Sequence, residues 1–288
     1  MPSKILLSAD TPCDIGSELQ ERYHVNLFPL HILLGETQYT DGKDITLEDI
    51  YSAWWDHKIL PRTAAVNPDE YSDYFFRMIK QGYDIIHISL GSGLSSSYQN
   101  AKIAAELFPE GRIHVIDSHS LSTGFGLLVC EAGERISAGL PIEEIVADLN
   151  TLSMKTSASF LLDTLEFLKA GGRCSSLAAL GAGLMQIKPA IQVKNELAGS
   201  MVVGKKYMGK WNKCILKYVE DQLKGRDDIV LDRVFITYST LEDPEILEEI
   251  KGKVLSLQPF REVFITHASC TIGSHCGPNT LGVLFLTK

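Results

Sequence analysis

Three stretches of this 288-residue chain repeat one grammar: a short apolar run, a loop of small or hydroxyl-bearing residues, then a helical pattern. Residues 5–8 lead into Asp10-Thr11-Pro12 and a polar–apolar stretch over 15–23. Residues 83–90, rich in β-branched side chains, lead into Gly91-Ser92-Gly93-Leu94-Ser95-Ser96-Ser97 and a helical pattern over 98–107. Residues 112–116 lead into Asp117-Ser118 and the segment 120–124, then a helix from about 126 to 138. Strand, loop and helix repeated in this way point to an α/β fold with helices packed on a parallel sheet. The loops then gather at the carboxyl edge of that sheet, where open α/β folds place their ligands.

Beyond a further helix over 141–150 the pattern changes, around 151–158. Residues 160–168 lead to Gly171-Gly172-Arg173. An apolar helix is expected near 177–184 and strands near 188–193 and 201–206, the latter in a hairpin. A helix over 211–223, a strand over 233–238, a helix over 244–257 and strands over 262–267 and 280–286 complete the reading. The boundary falls near residue 155, giving an amino-terminal α/β domain over 1–155 and a smaller α/β domain over 156–288.

Composition narrows the function. Hydrophobic residues make up 45% and charged residues 22%, the proportions of a soluble globular protein with apolar material for a core and a ligand cavity. A net charge of -9, from 27 basic and 36 acidic residues, argues against a nucleic-acid surface and against general adhesion to anionic membranes. The amino terminus lacks the apolar region of a signal peptide. No window approaches the roughly 18 apolar residues of a spanning helix. The expected location is therefore the cytoplasm. Cys13, Cys130, Cys174, Cys214, Cys270 and Cys276 have no CxxC spacing and read as free, mostly buried thiols, with no metal site. There is no P-loop, no Gly-x-Ser-x-Gly elbow around Ser95, and Gly181-Ala182-Gly183 lacks the third glycine of a dinucleotide fingerprint.

The loop 91–97 joins a strand to a helix start, where unpaired N–H groups and the positive end of the helix dipole suit a carboxylate or phosphate. A serine there can equally cap the helix. Thr63 lies between Pro61 and Pro68 in an extended segment that ends at a helix cap near Asn67. His275 lies in the glycine-rich run Gly273-Ser274-His275-Cys276-Gly277-Pro278, read as a loop, where it is either structural or close to a ligand. Arg173 either pairs with an anion or caps a helix end. Asp10 and Asp14 flank a helix start, and at least one of them is expected to cap it.

Taken in order, these segments resemble the DegV family over nearly the whole chain. The resemblance rests on Asp10-Thr11-Pro12-Cys13-Asp14, Tyr39-Thr40-Asp41-Gly42-Lys43-Asp44-Ile45, Thr63-Ala64-Ala65-Val66-Asn67-Pro68, Leu94-Ser95-Ser96-Ser97-Tyr98-Gln99, Asp117-Ser118, Gly171-Gly172-Arg173, Ile187-Lys188-Pro189 and His275-Cys276-Gly277-Pro278-Asn279. It implies a two-domain DegV-like fold, with a parallel-sheet amino-terminal domain and a smaller α/β carboxyl-terminal domain. It also implies a long-chain fatty acid in an internal tunnel, its carboxylate held by Thr63, Ser95 and His275, with Ser96 and Arg173 as further contacts to the head group or to a partner. That partner is a separate ATP-binding fatty acid kinase subunit, which makes acyl phosphate for phospholipid synthesis. The chain itself is then a carrier with no catalytic residue, metal or cofactor of its own, making transient membrane contact. Ala64, Ala65, Ser96 and Asn279 depart from the family pattern around this site.

The chemistry of such a ligand fits those residues. A tail gains roughly 0.8 kcal/mol for each methylene taken out of water, on the order of 11 kcal/mol gross for sixteen carbons. Its carboxylate needs partners once buried, and hydroxyl donors supply about 1.5–3 kcal/mol each. His275 can donate too, adding charge in its protonated form. Two other readings use the same residues: a serine-dependent lipid hydrolase or acyltransferase, with Ser95 as nucleophile and His275 as base, and a regulator that binds a small anion.

Overall fold

A computed structural model describes residues 4–174, 176 and 187–288. Its first sheet is wholly parallel, in the order β2-β1-β6-β7. The strands are β1 (Lys4–Asp10), β2 (Asn26–Phe28), β6 (Tyr83–Ser89) and β7 (Ile113–Asp117). In β6 the residues Ile85 to Ser89 are all buried, as expected of a strand covered on both faces. The covering helices are α1 (Gly16–Arg22), α3 (Pro68–Lys80), α4 (Ser97–Ala105), α5 (Thr123–Ser137) and α6 (Ile142–Leu152). The expected strand–loop–helix units are therefore present, with ends displaced by one to three residues.

A second, three-stranded antiparallel sheet, ordered β4-β3-β5, was not anticipated from the sequence. It comprises β3 (His31–Leu34), β4 (Thr37–Thr40) and β5 (Arg62–Ala64), and helix α2 (Leu47–His57) connects the last two. Both α2 and α3 begin with capping boxes. Thr46 and Asp49 exchange side-chain and backbone hydrogen bonds in one, Asn67 and Glu70 in the other. The cap expected near Asn67 is thus present.

The third sheet is mixed, in the order β10-β9-β8-β13-β11-β12. Its strands are β8 (Thr156–Leu161), β9 (Ile187–Lys194), β10 (Ser200–Met208), β11 (Ile229–Tyr238), β12 (Glu262–His267) and β13 (Leu281–Thr287). The hairpin expected at 201–206 is the antiparallel β9–β10 pair. Only β11 and β12 run parallel. Helices α8 (Trp211–Leu223) and α9 (Ile246–Leu257) cover one face, while α7 (Glu166–Gly171) and α10 (Cys270–Cys276) lie toward the other two sheets. The apolar helix expected near 177–184, and Gly181 to Gly183 within it, lie outside the described residues.

The period of two along the third sheet divides its side chains between two cores. Val234, Ile236, Val283 and Phe285 join Tyr218, Val219 and Ile250 on the α8–α9 side. Their neighbours Phe235, Leu284 and Leu286 turn the other way and join the core of the parallel sheet. Phe160 and Leu284 of that shared core also line an internal cavity. All six cysteines are buried and free. No described helix is long and apolar enough to cross a membrane.

Candidate functional site

Helix α10 is only seven residues long, too short to persist without outside help. Its leading N–H groups are all satisfied. Ser269 N–H donates to Asp14 Oδ1 at 2.9 Å, and Cys270 and Thr271 N–H donate to Asp41 Oδ1 and Oδ2 at 3.0 and 3.2 Å. Ile272 N–H donates to Ser269 Oγ at 3.3 Å. Two buried aspartates from the first fifty residues thus cap a helix near the end of the chain. Neither Asp10 nor Asp14 caps the helix beside it, contrary to expectation. Asp10 instead accepts hydrogen bonds from Tyr71 Oη, Ser89 Oγ and Leu90 N–H, which holds the end of β6 where the serine loop begins. Burial alone would raise the Asp10 pKa; His87 and these donors outweigh it and bring the carboxyl below its ordinary value.

His275 therefore sits in the last turn of α10 and not in a loop. The glycines at 273 and 277 mislead a reading by composition. Gly273 lies inside the helix, and its missing side chain makes room for Leu47 and Tyr51 of α2. Gly277 ends the helix with φ of 75°. His275 Nε2 lies 2.8 Å from Thr63 Oγ1 on β5, and either group can be the donor. Its Nδ1 has no hydrogen-bond partner among the described residues and faces Gly171 so closely that a Cβ there would stand 2.1 Å away. Burial, reinforced by the Arg173 guanidinium, brings the imidazole pKa down to about 4. With that value the ring is neutral at pH 7 and offers hydrogen bonds without charge.

Arg173 follows α7 and ties the remaining groups together. Its Nη1 donates to Gly171 O at 2.7 Å, and its Nε approaches Leu94 O, the residue before Ser95, at 3.4 Å. It is exposed, and among the described residues it is the cationic group lining this end of the cavity. Ser95 Oγ accepts the Ser97 N–H at 3.2 Å and exchanges a hydrogen bond with Ser97 Oγ at 2.9 Å. The serine that accepts the first N–H of α4 is thus also one that lines the cavity, while Ser96, at the N-cap position, is exposed at the rim. Gly93 N–H donates to Ala198 O at 2.8 Å, so the tip of the β9–β10 hairpin braces the loop.

Thr63, Ser95, Ser96, Arg173 and His275 line one cavity of about 160 Å3. Its other walls include Leu30, Leu90, Leu121, Phe160, Met201 and Leu284. Ser159, Thr237, Ser239 and Thr280 also line it, yet each hydroxyl already bonds within the protein: Ser159 with Tyr218 and Gln222, Thr237 with Thr123 and Thr266, Ser239 with Gly277 O, and Thr280 with Cys276 O. Their polarity is spent on the fold. Hydrophobic walls with one cluster of charged and hydroxyl groups suit an amphiphile bearing one anionic end. A hydrolase would need His275 against Ser95; the ring pairs with Thr63 instead. The sequence around Asp14 and Asp41 gives no local sign of this capping, because their partner helix is more than 200 residues away.

Comparison with known proteins gives consistent results. Residues 4–288 match the model of a family described as "Uncharacterised protein, DegV family". A DegV domain-containing protein of Caldanaerobacter subterraneus subsp. tengcongensis is 30% identical over 286 residues, 99% of each chain. A solved structure described as fatty acid binding of a DegV family protein from Thermus thermophilus is 28% identical, with a TM-score of 0.86 over 99% of this chain and 100% of that one. A stearic acid-binding protein from Eubacterium ventriosum is 26% identical, with a TM-score of 0.83 over 99% and 98% of the two chains. With the family model matched over residues 4–288 and a relative 30% identical over 99% of each chain, the chain belongs to the DegV family.

Proposed function

We propose that this protein is a carrier that buries the tail of a long-chain fatty acid in the cavity and holds its carboxylate with Thr63, Ser95 and His275. The observation that carries this reading is that these three residues, from β5, the loop before α4 and the last turn of α10, line the same apolar-walled cavity. The fatty-acid ligands named for the Thermus thermophilus and Eubacterium ventriosum relatives support it. Burying the tail supplies the affinity, and the hydroxyls satisfy an anion that would otherwise be costly to bury. Arg173 adds positive charge at the rim, reached from outside the cavity.

The same reading divides the chain into units over 1–155 and 156–288, with the cavity between them. It assigns the carrier no chemistry of its own. A separate ATP-dependent kinase subunit phosphorylates the presented carboxylate, with Arg173 and Ser96 nearest to it, and the acyl phosphate goes on to phospholipid synthesis. Loading from a membrane requires only transient contact.

Native mass spectrometry of protein purified from bacteria is expected to show a bound sixteen- or eighteen-carbon acid. The reading fails if none copurifies and the delipidated chain takes up neither palmitate nor oleate. With an ATP-dependent fatty acid kinase subunit present, acyl phosphate is expected only when the carrier is added. Arg173→Ala is expected to slow that turnover while leaving fatty-acid binding within about threefold; an unchanged rate removes Arg173 from the kinase step.

A further inference from the structure

Asp41 is 1% exposed and lies in the turn after β4, where its own N–H donates to Leu30 O at 2.9 Å. Both of its oxygens are committed to α10, and Oδ2 also accepts from Thr11 Oγ1 at 3.3 Å. Strand β4 pairs with β3, and β3 pairs with β5 so that Ile32 stands opposite Thr63. The three-stranded sheet therefore grips α10 at both ends: Asp41 takes the N–H groups of its first turn, and Thr63 takes the His275 ring of its last turn. The helix between them is about 10 Å long. Thr271, Ile272, His275 and Cys276, from both ends of the helix, line the cavity.

We infer that Asp41 is a positioning residue for the carboxylate site, fixing the height and rotation of α10 so that His275 meets Thr63 and the ligand's acid group. This inference rests on the carrier reading above. The carboxylate is needed because it offers two acceptors to two consecutive N–H donors. An asparagine offers one oxygen, and in either orientation its NH2 group opposes a backbone N–H in a buried place. Asp14 has a lighter task. It accepts only the Ser269 N–H from α10, and its other oxygen bonds Ser122 Oγ at 2.6 Å, so an asparagine there can keep both contacts.

The test compares palmitate with 1-hexadecanol, which has the same tail and no carboxylate, on the delipidated full-length protein. Wild type is expected to prefer the acid by about tenfold or more, one charge-assisted hydrogen bond's worth of selectivity. Asp41→Asn is expected to lose about tenfold of that selectivity while its affinity for hexadecanol stays within about twofold. Asp14→Asn is expected to keep it. His275→Ala loses the selectivity as well, and the Asp41→Asn/His275→Ala double variant is expected to be no worse than His275→Ala alone, because the two residues act through one contact. Equal loss of both ligands in Asp41→Asn means a purely structural role and overturns the inference, as does multiplication of the two single effects. Absence of any acid preference in wild type sinks the carrier reading, and this inference with it. Should Asp41→Asn fail to fold, Ser269→Ala, which removes the acceptor of the Ile272 N–H, enters the same cycle with the same expected coupling.

Discussion

Thr63 Oγ1 and His275 Nε2 stand 2.8 Å apart, joining a strand in the first quarter of the chain to a helix within its last twenty residues. Each is the other's fixed partner, and the threonine hydroxyl keeps a second lone pair, while His275 Nδ1 is packed against Gly171. Thr63→Val keeps the shape and removes the hydroxyl. It is expected to weaken palmitate binding roughly 10- to 100-fold, the value of a hydrogen bond to a charged group, and to leave hexadecanol binding nearly unchanged. Isothermal calorimetry with the two ligands checks this; equal weakening of both would remove Thr63 from the head-group site.

His275 makes stability depend on pH in a stated direction. Its folded value of about 4 lies below the ordinary 6.5, so between those values the unfolded chain holds a proton that the folded chain does not. The contribution is therefore full above pH 6.5 and falls as pH drops toward 4, by on the order of 3 kcal/mol. Urea denaturation of the delipidated protein across this range is expected to show that loss, and His275→Asn to flatten it.

Asp14 works in the opposite sense. Burial pushes its carboxyl up from 3.8 to about 8, against the pull of Ser122 and Ser269 and with a smaller push from Asp41. The folded state keeps this proton where the unfolded state has lost it, so the contribution is full below pH 3.8 and declines as pH rises through about 8. Asp14→Asn, neutral throughout, is expected to retain stability better than wild type between pH 7 and 9. A parallel pair of stability curves would show that Asp14 is ionised in the fold.

Gly171 is pinned by contact and not by its backbone angles. Gly171→Ala would put a methyl 2.1 Å from His275 Nδ1. The ring must move, at about 1–3 kcal/mol of stability, and its bond to Thr63 must lengthen. Thermal denaturation and the acid-over-alcohol selectivity are both expected to fall.

Ser95→Ala removes the acceptor for the Ser97 N–H and is expected to cost about 1 kcal/mol of stability, together with a loss of palmitate affinity. A fluorophosphonate probe is expected to leave wild-type Ser95 unlabelled, because His275 is engaged by Thr63. Labelling at Ser95 would restore the hydrolase reading.

Local chemistry made part of this molecule readable. The apolar runs of β1, β6 and β7 and the helical periods after the loops mark a parallel sheet, since period and apolar content are properties of consecutive residues. Helix α8 and strand β12 have the bounds their side-chain patterns suggest. Helices α2 and α3 are equally marked in the sequence by Thr46-x-x-Asp49 and Asn67-x-x-Glu70.

The amino-acid sequence by itself determined the strand–loop–helix units, the buried free thiols and the family to which the chain belongs. Tertiary structure alone decided the state of the glycine-rich segment around His275, which becomes a helix because Asp14 and Asp41 accept its leading N–H groups. It also decided the neutrality of the ring and the choice of Thr63 over Ser95 as its partner. The physical reason is range. Periodicity and turn chemistry act within a few residues, whereas caps, desolvation and side-chain pairing depend on groups more than 200 positions apart that meet only once the three sheets have packed.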